Sequence, residues 1–208
     1  YPELSTEQVL TMDFVDGQRF HEFAQGAGQE QRNRAGHTIF EVAMRSIFEH
    51  HLLNADPHPG NYLFLPGGEV AFLDFGCVKH FPAEMVRTWA RFCRAVVEGR
   101  REEADALVVK QGFVVDKERY DFDYHFQMMS HIYEPFRASQ PFRFNRHFVR
   151  RSWTEMVVEN PNRLRMRLPP DWLFANRLWM GMHSVLAALD AQADWRATFD
   201  AVTLPAVA

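Results

Sequence analysis

Pro57, Pro59 and Gly60 fall within four positions of one another, and any helix approaching them must end before Pro57. A proline ring removes a backbone donor and forces the residue ahead of it out of helical geometry. The full segment is Ala55-Asp56-Pro57-His58-Pro59-Gly60-Asn61. After it come Tyr62-Leu63-Phe64-Leu65, then Pro66-Gly67-Gly68, then Glu69-Val70-Ala71-Phe72-Leu73. That order predicts two short strands around a turn that supplies positive φ, a β-hairpin. Asp74-Phe75-Gly76 follows directly, with Asp74 thirteen positions after Asn61. The hairpin folds the chain back, so that Asp74 at its exit lies beside Asn61 at its entrance.

The spacing elsewhere is largely helical. Gln8 to Val15, rich in apolar and β-branched residues and closed by Asp16-Gly17, predicts a strand and turn. From Gly28 to Leu53, Ala35, Ile39, Phe40, Ala43, Ile47 and Phe48 recur at helical spacing, which predicts a long amphipathic helix. Past Phe81 the pattern is helical again, with Pro82 suited to a first helical position and Gly99 to a stop. Further helices are expected over 101–111, 116–133, 146–159 and 171–191. The expected class is α+β, mostly α, organised as a hinge strand and linker over 1–17 and a helical lobe over 18–208.

Composition narrows the function. With 47% hydrophobic, 24% charged and 14% aromatic residues in 208, the chain has the material for a packed core and is neither disordered nor fibrous. A net charge of -4 gives no general attraction to nucleic acid, so any basic site must be local. Cys77 and Cys93 are too few for a disulfide framework and lack zinc-site spacing, which fits a reducing compartment. The longest apolar stretch, Leu178 to Leu189, is broken by His183 and Ser184 and falls short of the ~20 residues of a spanning helix. A cytoplasmic location, peripheral to a membrane at most, is the expectation. The start at Tyr1, without initiator Met or export signal, reads as a beginning within a longer protein.

An Asp and an Asn with four residues between them, a short hairpin, and Asp-Phe-Gly is the spacing by which kinase folds set three oxygen-bearing side chains around nucleotide phosphates. Magnesium prefers oxygen ligands and keeps several waters, so the carboxylate of Asp74 and the amide oxygen of Asn61, with phosphate oxygens, suffice. Asp56 then takes or orients the proton of an attacking hydroxyl or water. Asp-Pro and Pro-Gly-Asn are common turn chemistry, and Asp-Phe-Gly alone carries little; their order and separation together carry the reading.

These motifs resemble the C-terminal lobe of the UbiB/AarF family of atypical, protein-kinase-like proteins. The resemblance rests on 55–61 and on Leu73-Asp74-Phe75-Gly76. Leu10 to Gly17, similar to the family's interlobe hinge, and Leu168-Pro169-Pro170 before a helix support it. It implies a protein-kinase-like C-lobe that binds ATP and Mg2+, with the adenine held by the hinge backbone at Asp13, Phe14 and Val15. It further implies Asp56 as catalytic residue, Asn61 and Asp74 as metal ligands, and an ATPase or small-molecule phosphotransferase in ubiquinone or other isoprenoid-lipid metabolism. Two departures stand out. Asn54 replaces the His usual two positions before the loop Asp, and the N-terminal lobe with its Lys-x-Gly-Gln segment and phosphate-holding Lys is missing, since Lys79, Lys110 and Lys117 all follow Asp-Phe-Gly. The N-terminal lobe of the same protein is thus an expected partner, and this stretch alone is expected to be inactive. Aminoglycoside or choline phosphotransferases use a similar loop but lack Asp-Phe-Gly, and a non-catalytic pseudokinase-type module remains a third reading.

Four other features bear on function. His50, His51 and His58 are close in sequence, but adjacent helical histidines diverge by roughly a hundred degrees and do not converge on one ion. Cys77 reads as a small hydrophobe rather than a redox thiol. Between 137 and 167 eight arginines stand against Glu155 and Glu159, interleaved with Phe136, Phe142, Phe144, Phe148 and Trp153. That segment is a candidate contact for anionic membrane lipid or isoprenoid lipid. Met128, Met129, Met156, Met166, Met180 and Met182, with Trp172 and Trp179, read as core filler between helices.

Overall fold

The computed structural model describes residues 1–54 and 56–207. Ala55, first residue of the expected loop 55–61, and Ala208 lie outside the described residues. The described chain is a helical lobe with three small antiparallel sheets, as the α+β, mostly α expectation has it. Helix α1 (Phe20–Gly26) and the central helix α2 (Gln29–Phe48) are followed by α3 (Ala83–Val97), α4 (Arg101–Lys110) and α5 (Phe122–Ile132). Then come the single turn α6 (Glu134–Arg137), α7 (Arg146–Trp153), α8 (Pro170–Ala188) and α9 (Trp195–Val207).

α2 carries the core because its apolar residues recur every three to four positions. Ala35, Ile39, Phe40, Met44, Ile47 and Phe48 are all buried. Phe40 meets Trp195 of α9 edge to face at 5.2 Å, and a Cβ on Gly36 would lie 2.6 Å from that of Ala191, so only glycine permits this approach. Phe136 stacks on Phe199 at 4.7 Å and closes the same core from the α6 side.

The hairpin forms as expected. Strands β3 (Tyr62–Phe64) and β4 (Val70–Phe72) pair with Tyr62 opposite Phe72, and Gly67 and Gly68 take φ of 91° and 86° in the turn. Strand β1 (Gln18–Arg19) adds to the free edge of β3. A second pair joins β2 (Leu52–Asn54) to β5 (Val78–His80), and a third joins β6 (Phe142–Arg143) to β7 (Gln192–Ala193).

Several boundaries differ from the sequence expectation. The long helix stops at Phe48 instead of Leu53: His51 at φ 55° reverses the chain, and 52–54 become β2. The exchange buries Leu53 completely and gains ladder bonds to β5, which a helix ending against Pro57 lacks. The strand expected over 8–15 does not form. Its apolar side chains Val9, Leu10, Met12 and Phe14 are exposed, Phe14 at 92%, and no described backbone lies alongside to complete a ladder. The helix expected from 116 begins at Phe122, capped by the Asp121 carboxylate, because 117–119 form a turn in which Asp116 accepts from the Arg119 amide, and the Asp121 amide donates to Asn162. α7 passes into a π-helical turn, Thr154–Val158.

The 137–167 segment divides by residue type. Phe136, Phe144 and Phe148 point into the core, whereas Trp153 is exposed. Arg143 pairs with Asp190 and Arg151 with Glu155. Met128, Met182 and Trp179 are buried in the core, as core filler should be, and Met128, Met129, Met156, Met166 and Met180 also line a chamber between helices together with Trp172 and Trp179. Among the described residues no helix is long and apolar enough to cross a membrane.

Candidate active site

The hairpin and the β2–β5 pair flank one cleft of about 160 Å3, whose lining includes Asn54, Asp56, Asn61 and Asp74. Backbone pairing positions Asn54 and Asn61, and through Leu73 the neighbouring Asp74. Beyond the last ladder pair, the Leu73 amide donates to the Asn61 carbonyl at 3.0 Å, which sets Asn61 beside the residue preceding Asp74. Asn54 stands opposite Val78 at the end of β2, facing the exit of Asp-Phe-Gly.

The side chains form a connected set. Asn61 Nδ2 donates to Asp56 Oδ2 at 3.0 Å and to the Asp56 carbonyl at 3.1 Å. Asp74 Oδ1 accepts from the Gly76 amide at 2.7 Å, a tight Asx-type bond that shapes the Asp-Phe-Gly turn. Asn54 Nδ2 donates to the Asp74 carbonyl at 2.7 Å, while its Oδ1 accepts from the Asp56 amide at 3.3 Å. Asn54, standing where a His is usual, therefore ties the two loops to each other. Beneath them Tyr62 is buried and lies near Asp56; burial first, then that carboxylate, pushes its hydroxyl up to about 12, so it stays protonated.

Two elements distant in sequence complete the site. Arg177 of α8 donates from Nη2 to Asp56 Oδ1 at 2.9 Å across 121 positions. Asp56 is about one-third exposed and Arg177 more than half, so this pair is worth about 0–1 kcal/mol and opens readily. A turn further along α8, Gly181 sits against Pro57 so closely that a Cβ there would fall 2.2 Å from Pro57 Cγ. Gly181→Ala should therefore destabilise by about 1–3 kcal/mol through overpacking, although Ala is normally the better helix former. A thermal melt showing Gly181→Ala as stable as the parent would contradict this contact. No sequence signal pointed to Arg177; an Arg on a helix following Pro169-Pro170 looks like any solvated charge.

The expected adenine-binding residues lie elsewhere. Asp13 and Phe14 are exposed and Val15 is half-buried, in the extended segment ahead of β1, and none of the three lines the cleft. The Asp13 carboxylate accepts from the Tyr1 hydroxyl. Cys77 is half-buried against the core, and Cys93 is buried beside the Tyr133 hydroxyl, its thiol pushed up to about 12 by burial.

A helical lobe bearing an Asp and Asn before a hairpin and Asp-Phe-Gly after it is a protein-kinase-like C-terminal lobe. The comparisons make the class specific. The ABC1 atypical kinase-like domain matches residues 1–108, and the chain belongs to that family, as its resemblance to UbiB/AarF proteins implied. It is 25% identical over 193 residues to the mitochondrial atypical kinase COQ8 of Schizosaccharomyces pombe, covering 90% of this chain and 31% of that protein. Over 85 residues it is 36% identical to the chloroplastic protein Activity of BC1 complex kinase 3 of Arabidopsis thaliana, covering 39% of this chain and 12% of that one. Its fold superposes with a TM-score of 0.75 on Rv3197 of Mycobacterium tuberculosis, solved in complex with erythromycin, at 22% identity over 91% of this chain and 48% of that one. The chain spans about a third of the length of its COQ8 relative.

Proposed function

We propose that this lobe holds ATP with Mg2+ at the cleft of Asp56, Asn61 and Asp74, and that the intact protein is a kinase-like ATPase or small-molecule phosphotransferase. Its setting in ubiquinone or other isoprenoid-lipid metabolism follows from the family resemblance. The observation that carries the reading is the convergence of these three side chains on one cleft, joined through Asn54.

The donor set fits a hard cation. Asn61 spends its amide N–H groups on Asp56, which leaves its Oδ1 as the ligating atom, and Asp74 commits one carboxylate oxygen to Gly76, which leaves the other. Asn61 and Asp74 would hold Mg2+, which would supply charge neutralisation toward the phosphate oxygens. Asp56 is the proton acceptor for the attacking hydroxyl or water. Its Oδ2 is oriented by Asn61 and its Oδ1 by Arg177, each oxygen retaining a lone pair for the incoming proton.

Asp74→Asn in the intact protein is the test. Titration with ATP should weaken at least tenfold in the presence of Mg2+, with Mg2+-free nucleotide binding little changed. Equal affinity in both proteins removes the metal role of Asp74. A second reading, a non-catalytic module that keeps the loops as architecture, draws on the Arg177 ion pair that already occupies one oxygen of Asp56.

A further inference from the structure

The chamber lined by methionines has no part in the chemistry above. Its volume is about 500 Å3, and neither Asp56 nor Asp74 lines it. That is within the ~300–1,000 Å3 usual for small-molecule sites, whereas packed interiors carry few voids larger than a water. The walls come from α3, α5 and α8, with the π-helical turn and the 160–168 connection closing the remaining sides.

Three observations define what fits there. First, the surface is apolar and adaptable: the five methionines offer flexible, polarisable walls, and Trp172 and Trp179 offer flat ones. Second, the mouth is greasy. Trp153, Val157 and Leu168 belong to the lining and remain exposed, and Leu164 beside them is 89% exposed. Met156 and Val157 stand on the π-helical turn, a distortion frequent at functional sites. Third, the charge is one-sided. No Asp or Glu lines the chamber, and the single charged side chain of the lining is Arg163, exposed at the rim. Arg165 and Arg167, close in sequence, hydrogen-bond to the Pro161 and Gly112 carbonyls and stand outside the lining. Arg163 has no carboxylate at ion-pair distance among the described residues. Of the two titratable rings in the walls, His125 is kept neutral by burial at ordinary pH, and burial holds the Tyr133 hydroxyl protonated by pushing it well above its usual range.

We infer that this chamber binds a single-chain amphiphile, its apolar tail among the methionines and tryptophans and its anionic head on Arg163. An unpaired cation at the mouth of an otherwise uncharged apolar cavity selects for one negative charge at the end of the tail. The inference is independent of the nucleotide reading, since it uses none of the cleft residues.

Calorimetric titration of the intact protein with monomeric decanoate, 1-decanol and decylamine, tails matched and heads anionic, neutral and cationic, decides it. Decanoate should bind once per chain and at least tenfold tighter than decanol, with decylamine weakest. Arg163→Gln, an exposed substitution that leaves the core intact, should abolish the advantage of decanoate while leaving decanol binding as it was. Ala175→Leu, which narrows the chamber, should weaken binding of all three; if that variant does not fold, Val157→Trp at the mouth takes its place. Decanoate and decanol binding equally, or a decanoate advantage that survives Arg163→Gln, overturns the inference. So does binding seen only to vesicles and never to monomeric amphiphile, which would make the patch a bilayer contact.

Discussion

Asp56→Asn in the intact protein should reduce phosphate release from ATP by about 10²–10⁴-fold, the usual worth of a positioned general base, while nucleotide affinity stays within a few-fold. The reason is geometric. The substitution preserves size and can still accept from Asn61 through its amide oxygen, so the loop keeps its shape while proton acceptance and the weak Arg177 pair are lost. The measurement is steady-state phosphate release alongside a direct ATP titration. Unchanged turnover would assign Asp56 to architecture and favour the non-catalytic reading. Because the Arg177 pair is largely solvent-facing, freeing Arg177 should not unfold the protein, which keeps the result interpretable.

The second large effect is on stability. His183 is fully buried against the rings of Phe144, Phe148 and Trp179, with no hydrogen-bond partner for either ring nitrogen among the described residues. Burial, aided by His131, pushes its pKa down from 6.5 to about 3. His125 is lowered by burial to about 4. Both groups stay neutral when folded, whereas in the unfolded chain they take up protons near 6.5. Their contribution is therefore fully present above about pH 6.5 and is lost as pH falls, down to about 4 for His125 and about 3 for His183. Each such group costs about 1.4 kcal/mol per pH unit within that window, so the pair removes roughly 4 kcal/mol between pH 7 and pH 5. Urea unfolding at the two pH values should show that drop, and His183→Leu should show about half of it. A parent protein equally stable at pH 5 and pH 7 would contradict the neutral, buried assignment of both rings.

The parts of the site that were legible before the structure are those set by neighbours in sequence. The prolines at 57 and 59 had to end a helix, and Gly67 and Gly68 supply the positive φ that closes the hairpin. Asn61 and Asp74 accordingly reach one cleft. What failed were elements whose form depends on a distant partner. Residues 52–54 look like the end of a helix until β5 lies alongside, and 8–15 look like a strand but find no ladder among the described residues. The chamber beside α5 and α8 escapes sequence spacing for a related reason: Met128 and Met182 are buried as core residues, yet Met128, Met129 and Met180 also line the chamber. A helix face turned toward a packed core and one turned toward a ligand chamber have the same composition, and only the separation of the opposing walls tells them apart.

The sequence by itself determined the order of loop, hairpin and Asp-Phe-Gly, because turn chemistry and short-range hydrophobic spacing act over a few residues. Only the tertiary structure decided that Arg177 reaches Asp56 across 121 positions, that Gly181 seats Pro57, and that the opposite side of the same helix α8 walls an apolar chamber. Burial of an apolar face drives a helix inward without naming its neighbour, so which groups meet across α8 emerges only when every element is packed at once.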